Sequence, residues 1–294
     1  MPFGGLVMAV IGSLVGLGII LHRTHLEIAA NRTALVYATV VAVLLAIRQA
    51  AKGDGRPRLS RIGDFAEDTL LFMIITLAGA VASYAVAALT VGWVDGAMAR
   101  FDRAIGFDWN MLYALTAAHP VLQIGGRIAY ASIFVSPILI IGSFALNAQR
   151  DESRRFLAAF WVAAMISLFL FRFMPTLGPL DYSWHGPIRY VPTSGLYQSE
   201  LIPLLRMGHM SEIDLGALRG LVGPPSFHAA SAVLYIIAGL RSRQVRIPVV
   251  AINVVMLFAI PVEGTHYAID VLAGAAVAGL AYALVDAFSK RRLA

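Results

Sequence analysis

Two histidines and one aspartate lie in polar stretches of a chain that is otherwise strongly apolar. His228 ends the stretch 223–228, and His266 and Asp270 lie four residues apart in the stretch 263–270. Residues four apart on a helix share one face, so Asp270 can accept a hydrogen bond from one ring nitrogen of His266. That bond would fix the tautomer, leave the other nitrogen with a free lone pair and stabilise the charged ring. The pattern predicts a nucleophilic histidine.

A histidine supported in this way can attack phosphorus and form a covalent phosphohistidine. The leaving oxygen then needs a proton, and His228 is the candidate acid. Ser226 is predicted to cap the helix that carries His228, and Thr265 to cap the helix that carries Asp270. Helix N-termini present free N–H groups and a positive dipole end. Two such ends facing one another are expected to hold a phosphoryl group without a metal or another cofactor.

Other interpretations of these residues stay open. A lone histidine near the end of a membrane helix is more often an interfacial side chain, and a His-x-x-x-Asp spacing also arises by chance. Histidine and aspartate ligate zinc and manganese, so the same residues are compatible with a metal site. The joint pattern favours function, because ionisable residues near a membrane span are costly.

The composition indicates a bilayer as solvent. Of the 294 residues 59% are hydrophobic and 14% are charged, and the mean hydropathy is +0.76. The absence of cysteine excludes disulfides, zinc–thiolate sites and a cysteine nucleophile. The net charge of +6 is attributed to membrane topology rather than to nucleic-acid binding.

Continuous apolar runs predict an all-α, polytopic membrane protein with about eight transmembrane helices. The predicted spans are 4–21, 30–47, 69–91, 124–146, 156–174, 227–240, 247–262 and 270–288. Residues 1–60 would form an N-terminal transmembrane hairpin, and residues 61–294 a six-helix catalytic core. The first run has no charged residue before it and no convincing cleavage site, so it is interpreted as a retained helix rather than a signal peptide.

Basic residues cluster between alternate spans and so predict the topology. The clusters hold 14 of the 23 basic residues: Arg48, Lys52, Arg56, Arg58 and Arg61; Arg150, Arg154 and Arg155; Arg241, Arg243 and Arg246; Lys290, Arg291 and Arg292. With eight spans all four clusters fall on one face, which the positive-inside rule assigns to the cytoplasm. Both polar stretches then open on the periplasmic or extracellular face of the cell membrane.

Two segments on that face are too long for simple turns. Segment 92–123 mixes aromatic and charged residues, which predicts helices at the membrane interface. Segment 175–226 is rich in proline and glycine and carries several histidines and arginines. A loop of this length is usually functional, so we expect short helices that cap an active-site mouth.

The two stretches resemble the motifs of the type-2 phosphatidic acid phosphatase superfamily. Residues 225–228 (PSFH) are similar to its second motif, and residues 265–274 (THYAIDVLAG) to its third. The branch that contains inositol phosphorylceramide synthases and their bacterial relatives looks most similar, on residues 173–179, 99–103, 106–109 and 119–120. The resemblance covers roughly 95–285. It implies a six-helix core, with His266 as nucleophile, Asp270 as its orienting partner and His228 as acid.

The chain also departs from the superfamily pattern. The first motif, a lysine and an Arg-Pro pair seven residues apart, is absent, and Ile260 stands where the third motif has an arginine. Both missing cations would bind phosphate oxygens. Arg172, Arg189, Arg206 and Arg219 are the candidate substitutes. Arg172 is preferred for its place before Pro175.

The leading interpretation is a metal-independent enzyme that cleaves a lipid phosphate or phospholipid ester through a phosphohistidine. Water as acceptor gives a phosphatase, and a lipid hydroxyl as acceptor gives a head-group transferase. A transporter or channel is the alternative that is not an enzyme. It would need polar residues at mid-membrane, and the predicted spans contain almost none. A scaffold with a degenerate site is the third alternative.

Overall fold

The structure is a computed structural model that describes residues 3–52 and 57–290, with the backbone alone at positions 289 and 290. Arg56, Arg291 and Arg292 of the predicted basic clusters, with the side chain of Lys290, lie outside the described residues.

The described residues form twelve α-helices, one 3₁₀ turn and two very short strands. The helices are α1 (Phe3–Thr24), α2 (Arg32–Ala50), α3 (Pro57–Leu89), α4 (Asp95–Ala104), α5 (Trp109–Ala118), α6 (Pro120–Leu146), α7 (Arg150–Phe171), α8 (Pro179–Tyr182), α9 (Tyr197–Arg206), α10 (Phe227–Arg241), α11 (Arg246–Glu263) and α12 (Ala268–Lys290). The strands are β1 (Glu27–Ile28) and β2 (Glu212–Ile213), and the 3₁₀ turn is Leu215–Ala217. The predicted all-α fold is confirmed.

Seven of these helices are long and apolar enough to cross a bilayer: α1, α2, α3, α6, α7, α11 and α12. The eighth apolar helix, α10, has 15 residues and is shorter than a full span. The eight predicted runs therefore each correspond to one helix, and the chain has the architecture of a multi-pass membrane protein.

Six helices pack together in a bundle, namely α3, α6, α7, α10, α11 and α12. Large buried rings fill the space between them; the ring of Phe160 packs against Phe156, Phe227 and Tyr235. Helices α1 and α2 pack mainly on α3 from outside, and α2 has no buried residue. The apolar faces that remain exposed on the bundle suit a lipid environment.

Helix α3 begins twelve residues before the predicted apolar run. Its first turns carry Asp64 and Glu67, and both accept ion pairs from Arg48 and Arg150. These pairs extend the helix beyond the hydrophobic segment. Glu152 likewise pairs with arginines of two predicted basic clusters. Residues from three clusters thus meet at one end of the bundle, as expected if they share a face of the membrane.

The connection between α1 and α2 is attached to the long segment 175–226. Strand β1 pairs in parallel with β2. Next to this pairing, the amide group of Asn31 donates to Asp214 at 2.8 Å. The outer hairpin is therefore fixed to the loop at the end of the bundle opposite the ion pairs.

The two segments predicted to hold short helices do so. Segment 92–123 contains α4 and α5 together with the first residues of α6, and segment 175–226 contains α8, α9 and the 3₁₀ turn. Helix α4 has an unusual polarity: its buried residues are Asp95, Ala99 and Asp102, whereas Phe101 is exposed. Its acids therefore face the protein interior.

Candidate active site

His266 lies in the turn between α11 and α12. Its Nδ1 is 3.3 Å from Oδ2 of Asp270, and both side chains are buried, with 3% and 1% of their surface exposed. The two residues were predicted to share one helical face, which is wrong in detail because α12 begins at Ala268. The contact forms instead from the turn to the first part of the helix.

Asp270 is positioned to orient the imidazole of His266. Its Oδ2 also accepts the backbone N–H of Tyr267 at 3.1 Å, which holds the carboxylate against the turn. A contact of 3.3 Å is long for a hydrogen bond, and such bonds often shorten when a substrate is bound. With Nδ1 directed at Asp270, Nε2 carries the free lone pair.

His228 is in the first turn of α10, two residues after the N-cap Ser226. The Ser226 hydroxyl accepts from the amide of Ala229, as predicted, and the Ser226 amide donates to the carbonyl of Asp270 at 3.0 Å. The start of α10 is thus hydrogen-bonded to the start of α12, which brings His228 and His266 to the same end of the bundle.

Gly274 permits this close approach of α10 and α12. A Cβ added there would lie 2.2 Å from the carbonyl oxygen of Ser226 and 3.1 Å from the amide nitrogen of Ala230. Both are backbone atoms of α10, so a side chain would force the helices apart. Gly279, further along α12, has no atom within 4 Å of the corresponding position.

The ring of His228 stacks on the ring of Tyr130 from α6. The ring centroids are 4.0 Å apart and the planes differ by 11°. The Tyr130 hydroxyl is 3.2 Å from Nδ1 of His228 and 3.1 Å from the hydroxyl of Ser194. Because the two rings are nearly parallel, the Tyr130 hydroxyl approaches Nδ1 of His228 from above the imidazole plane. The lone pair of that nitrogen lies in the plane and is not directed at the hydroxyl. Tyr130 therefore fixes the plane of the imidazole more than it occupies its nitrogen.

Thr265 does not cap α12, contrary to prediction. It lies three residues before Ala268, the first residue of α12, and its backbone has a positive φ of 51°. Its Oγ1 is buried and has no hydrogen-bond partner among the described residues. Gly178, itself at φ 91°, packs on it, since an added Cβ would lie 3.0 Å from the Thr265 carbonyl. A polar hydroxyl beside His266 is thus left available.

The prediction that α10 and α12 both present free N-termini to a phosphate is also wrong. The amides of Ala268 and Ile269, at the start of α12, donate to the carboxylate of Asp102 at 2.9 and 3.2 Å. Burial raises the pKa of Asp102, and the two amide hydrogen bonds oppose that shift. The start of α10 differs, because the amides of Phe227 and His228 are hydrogen-bonded to no described residue. Of these two helices, α10 is therefore the one whose first amides are free to bind an anion.

A buried glutamate, which the sequence analysis missed, anchors the loop above the site. The Glu263 carboxylate accepts from the hydroxyl of Tyr190 and from the amide and hydroxyl of Thr193, at 3.0 and 2.6 Å for the latter two. Its carbonyl accepts from the amide of Ser194 at 2.8 Å. Burial and then the bond to Glu263 raise the pKa of Tyr190 to about 12, so its hydroxyl stays protonated and donates.

The four arginines suggested as phosphate ligands have other surroundings. Arg172 lies over the ring of Phe173, at 5.7 Å, and the structure records no contact between it and either histidine. Arg206 donates to Thr90 and Gly92, and Arg219 donates to the hydroxyl of Tyr197; each also lies over an aromatic ring. Arg189 is exposed.

A fifth arginine is joined to the site through Glu263. Arg127 of α6 donates from Nε to the hydroxyl of Tyr190 at 3.0 Å and from a terminal nitrogen to the carbonyl of Val191 at 2.9 Å. It lies three residues, or about one helical turn, before Tyr130. No motif marks this position, so the sequence alone offered no signal for it.

The fold and this site define a class. A multi-pass helical protein brings a buried His–Asp pair and a second histidine together at one end of its bundle. A family model described as the PAP2 superfamily matches residues 96–284, more than half of the chain, and the chain belongs to this superfamily. Its members are in general phosphatase- or phosphotransferase-type enzymes of lipid phosphates. No curated protein and no solved structure matches the chain.

Proposed function

We propose that the protein cleaves a lipid phosphate ester through a phosphohistidine on His266. Nε2 attacks phosphorus, a P–N bond forms, and the P–O bond to the leaving oxygen breaks. His228 donates the proton that this oxygen needs. The single observation that carries the proposal is the contact between Nδ1 of His266 and Asp270, because it leaves Nε2 as the nucleophilic atom.

The second step releases the phosphoryl group. Water or a lipid hydroxyl attacks phosphorus, the P–N bond breaks, and the neutral His228 takes the proton of the attacking group. We propose hydrolysis as the leading reaction. Transfer to a lipid hydroxyl, as in the inositol phosphorylceramide synthase-like branch, is the second candidate. The 3% exposure of His266 favours transfer, since a site closed to bulk water selects an acceptor that arrives through the membrane.

Three groups are proposed to hold the phosphate. The free amides at the start of α10 and the unpaired hydroxyl of Thr265 supply hydrogen bonds close to His266. A cation would complete the site, and Arg127 has the better support because Tyr190 joins it to Glu263. Arg172, preferred from the sequence, remains a proposal that needs a movement toward the site.

We expect activity without a divalent ion. The groups proposed to hold the phosphate are backbone amides, the hydroxyl of Thr265 and an arginine, and none of these needs a metal to bind an anion. The test incubates purified protein in lipid vesicles with a panel of lipid phosphates in EDTA, and measures phosphate release and new lipid products by mass spectrometry. Turnover in EDTA with inhibition by vanadate is the expected result. Complete loss in EDTA that Mg²⁺, Mn²⁺ or Zn²⁺ restores would favour metal catalysis instead.

We propose that the site opens on the periplasmic or extracellular face of the cell membrane. The arginine-rich end of the bundle would then face the cytoplasm. The chain lacks cysteine, so single cysteines give a clean test. A cysteine at the exposed Gly186 should react with a membrane-impermeant reagent in intact cells, whereas one at the exposed Arg243 should react only after lysis. Equal labelling of both in intact cells would overturn the orientation.

A further inference from the structure

We infer that Asp102 and Asp95 of α4 form a clamp that positions His266 for reaction, with Asp102 as the main positioning residue. The inference rests on the proposed function, because it assigns to α4 a part in that chemistry. Asp102 and Asp95 are buried, and neither belongs to the His–His–Asp set described above.

Asp102 binds the chain between the two members of the His–Asp pair. Its Oδ2 accepts from the amide of Ala268 and its Oδ1 from the amide of Ile269, which are the residues between the turn of His266 and the carboxylate of Asp270. The orientation of this short stretch decides the distance from Nδ1 of His266 to Asp270. A negative side chain at a helix N-terminus stabilises that end of the helix.

Asp95 binds the same turn at a second point. It lies seven residues, about two helical turns, before Asp102 and therefore on the same face of α4. Its carboxylate accepts from the amides of Leu177 and Gly178 and from the hydroxyl of Tyr267 at 2.9 Å. Tyr267 directly follows His266, so one ten-residue helix holds the segment after His266 at two points.

The clamp also decides which helix end meets the substrate. Asp102 occupies the amides of α12 and places a carboxylate there, which would repel a phosphate at that end. The first amides of α10 remain free beside His228. The phosphate is thereby directed to the gap between the histidines instead of the start of α12.

The test compares Asp102→Ala and Asp102→Asn with the matched control Asp108→Ala. Asp108 is exposed and caps α5 by accepting from Met111 at 3.1 Å, so its removal deletes an aspartate helix cap that makes no hydrogen bond to residues 266–270. We expect Asp102→Ala to lower kcat by roughly 10- to 100-fold while KM changes little, because a small misplacement of a reacting group has an effect of this order. Asp102→Asn should recover part of kcat, since its oxygen still accepts from one amide, and Asp108→Ala should match the unmodified protein.

Melting temperature and the rate of phosphoenzyme formation are measured for each variant. Full kcat in Asp102→Ala, or in folded Asp102→Asn if the alanine variant does not fold, would overturn the clamp. So would a fall in kcat that follows the loss of folded protein, with asparagine no better than alanine.

A failure of the proposed function and a failure of the clamp alone would give different results. If the unmodified protein forms no acid-labile phosphoenzyme and His266→Ala retains turnover, the proposed function is wrong. If the phosphoenzyme forms normally in both the unmodified protein and Asp102→Ala, only the clamp is wrong.

Discussion

His266→Ala should abolish turnover in protein that remains folded. Without Nε2 no P–N bond forms, so the rate is expected to fall by at least about 10⁴-fold, toward the uncatalysed background. The measurement is phosphate release and lipid product in vesicles, together with trapping of an acid-labile phosphoenzyme, which this variant should not form. Asp270→Asn should fall between this variant and the unmodified protein, because the wrong tautomer of His266 would be favoured while the fold is retained.

Two glycines of α12 supply controls for this experiment. Gly274→Ala would clash with the backbone at the start of α10, so it should lower the melting temperature and the activity together. Gly279→Ala should change neither, because its added Cβ meets no atom within 4 Å. Loss of activity in His266→Ala at an unchanged melting temperature supports a chemical role. Substantial turnover in folded His266→Ala would show that the central assignment is wrong.

His228→Ala is expected to lower the rate by about 10²- to 10⁴-fold, the usual contribution of a general acid. The loss should shrink for a nitrophenyl phosphate, because that leaving group needs no proton. With such a substrate the variant should still form a phosphoenzyme, which separates its role from that of His266. The measurement compares the two variants on a lipid phosphate and on the nitrophenyl ester.

Tyr130→Phe is the matched control for that variant. It keeps the ring that stacks on His228 and removes only the hydroxyl, so its effect on the rate should be much smaller. An equal loss with both kinds of leaving group in His228→Ala would contradict the acid role and point to a structural histidine.

The sequence predicted the helices and the contact between His266 and Asp270, but not how the candidate site residues are held. The apolar runs identified eight helices because a bilayer requires long uninterrupted hydrophobic segments. The His266–Asp270 contact followed from local spacing. Thr265 was misassigned because spacing alone does not reveal that α12 begins only at Ala268, where Asp102 supplies the cap from another helix.

Contacts between distant segments explain the other omissions. Glu263 looked like the polar end of an apolar run, yet it binds Tyr190 and Thr193, about 70 residues earlier in the chain. Arg127 lies within an apolar run and acquires its partners, Tyr190 and the carbonyl of Val191, only when the loop 175–226 folds against α6. An arginine chosen by its proximity to a motif, such as Arg172, reflects sequence distance rather than distance in space.

Helix α3 packs in the bundle but lies outside the part of the chain that the family model matches. The match to the family begins at residue 96, after α3 has ended, although α3 contacts α6 and α7 in the bundle. The hydroxyl of its Tyr84 also accepts from the amide of Arg219 in the loop that leads to α10. Residues 96–284, which the family model matches, therefore lack a helix that packs against them in the bundle. We expect a fragment that begins after α3 to lose this packing, and a fragment that begins at Pro57 to keep it.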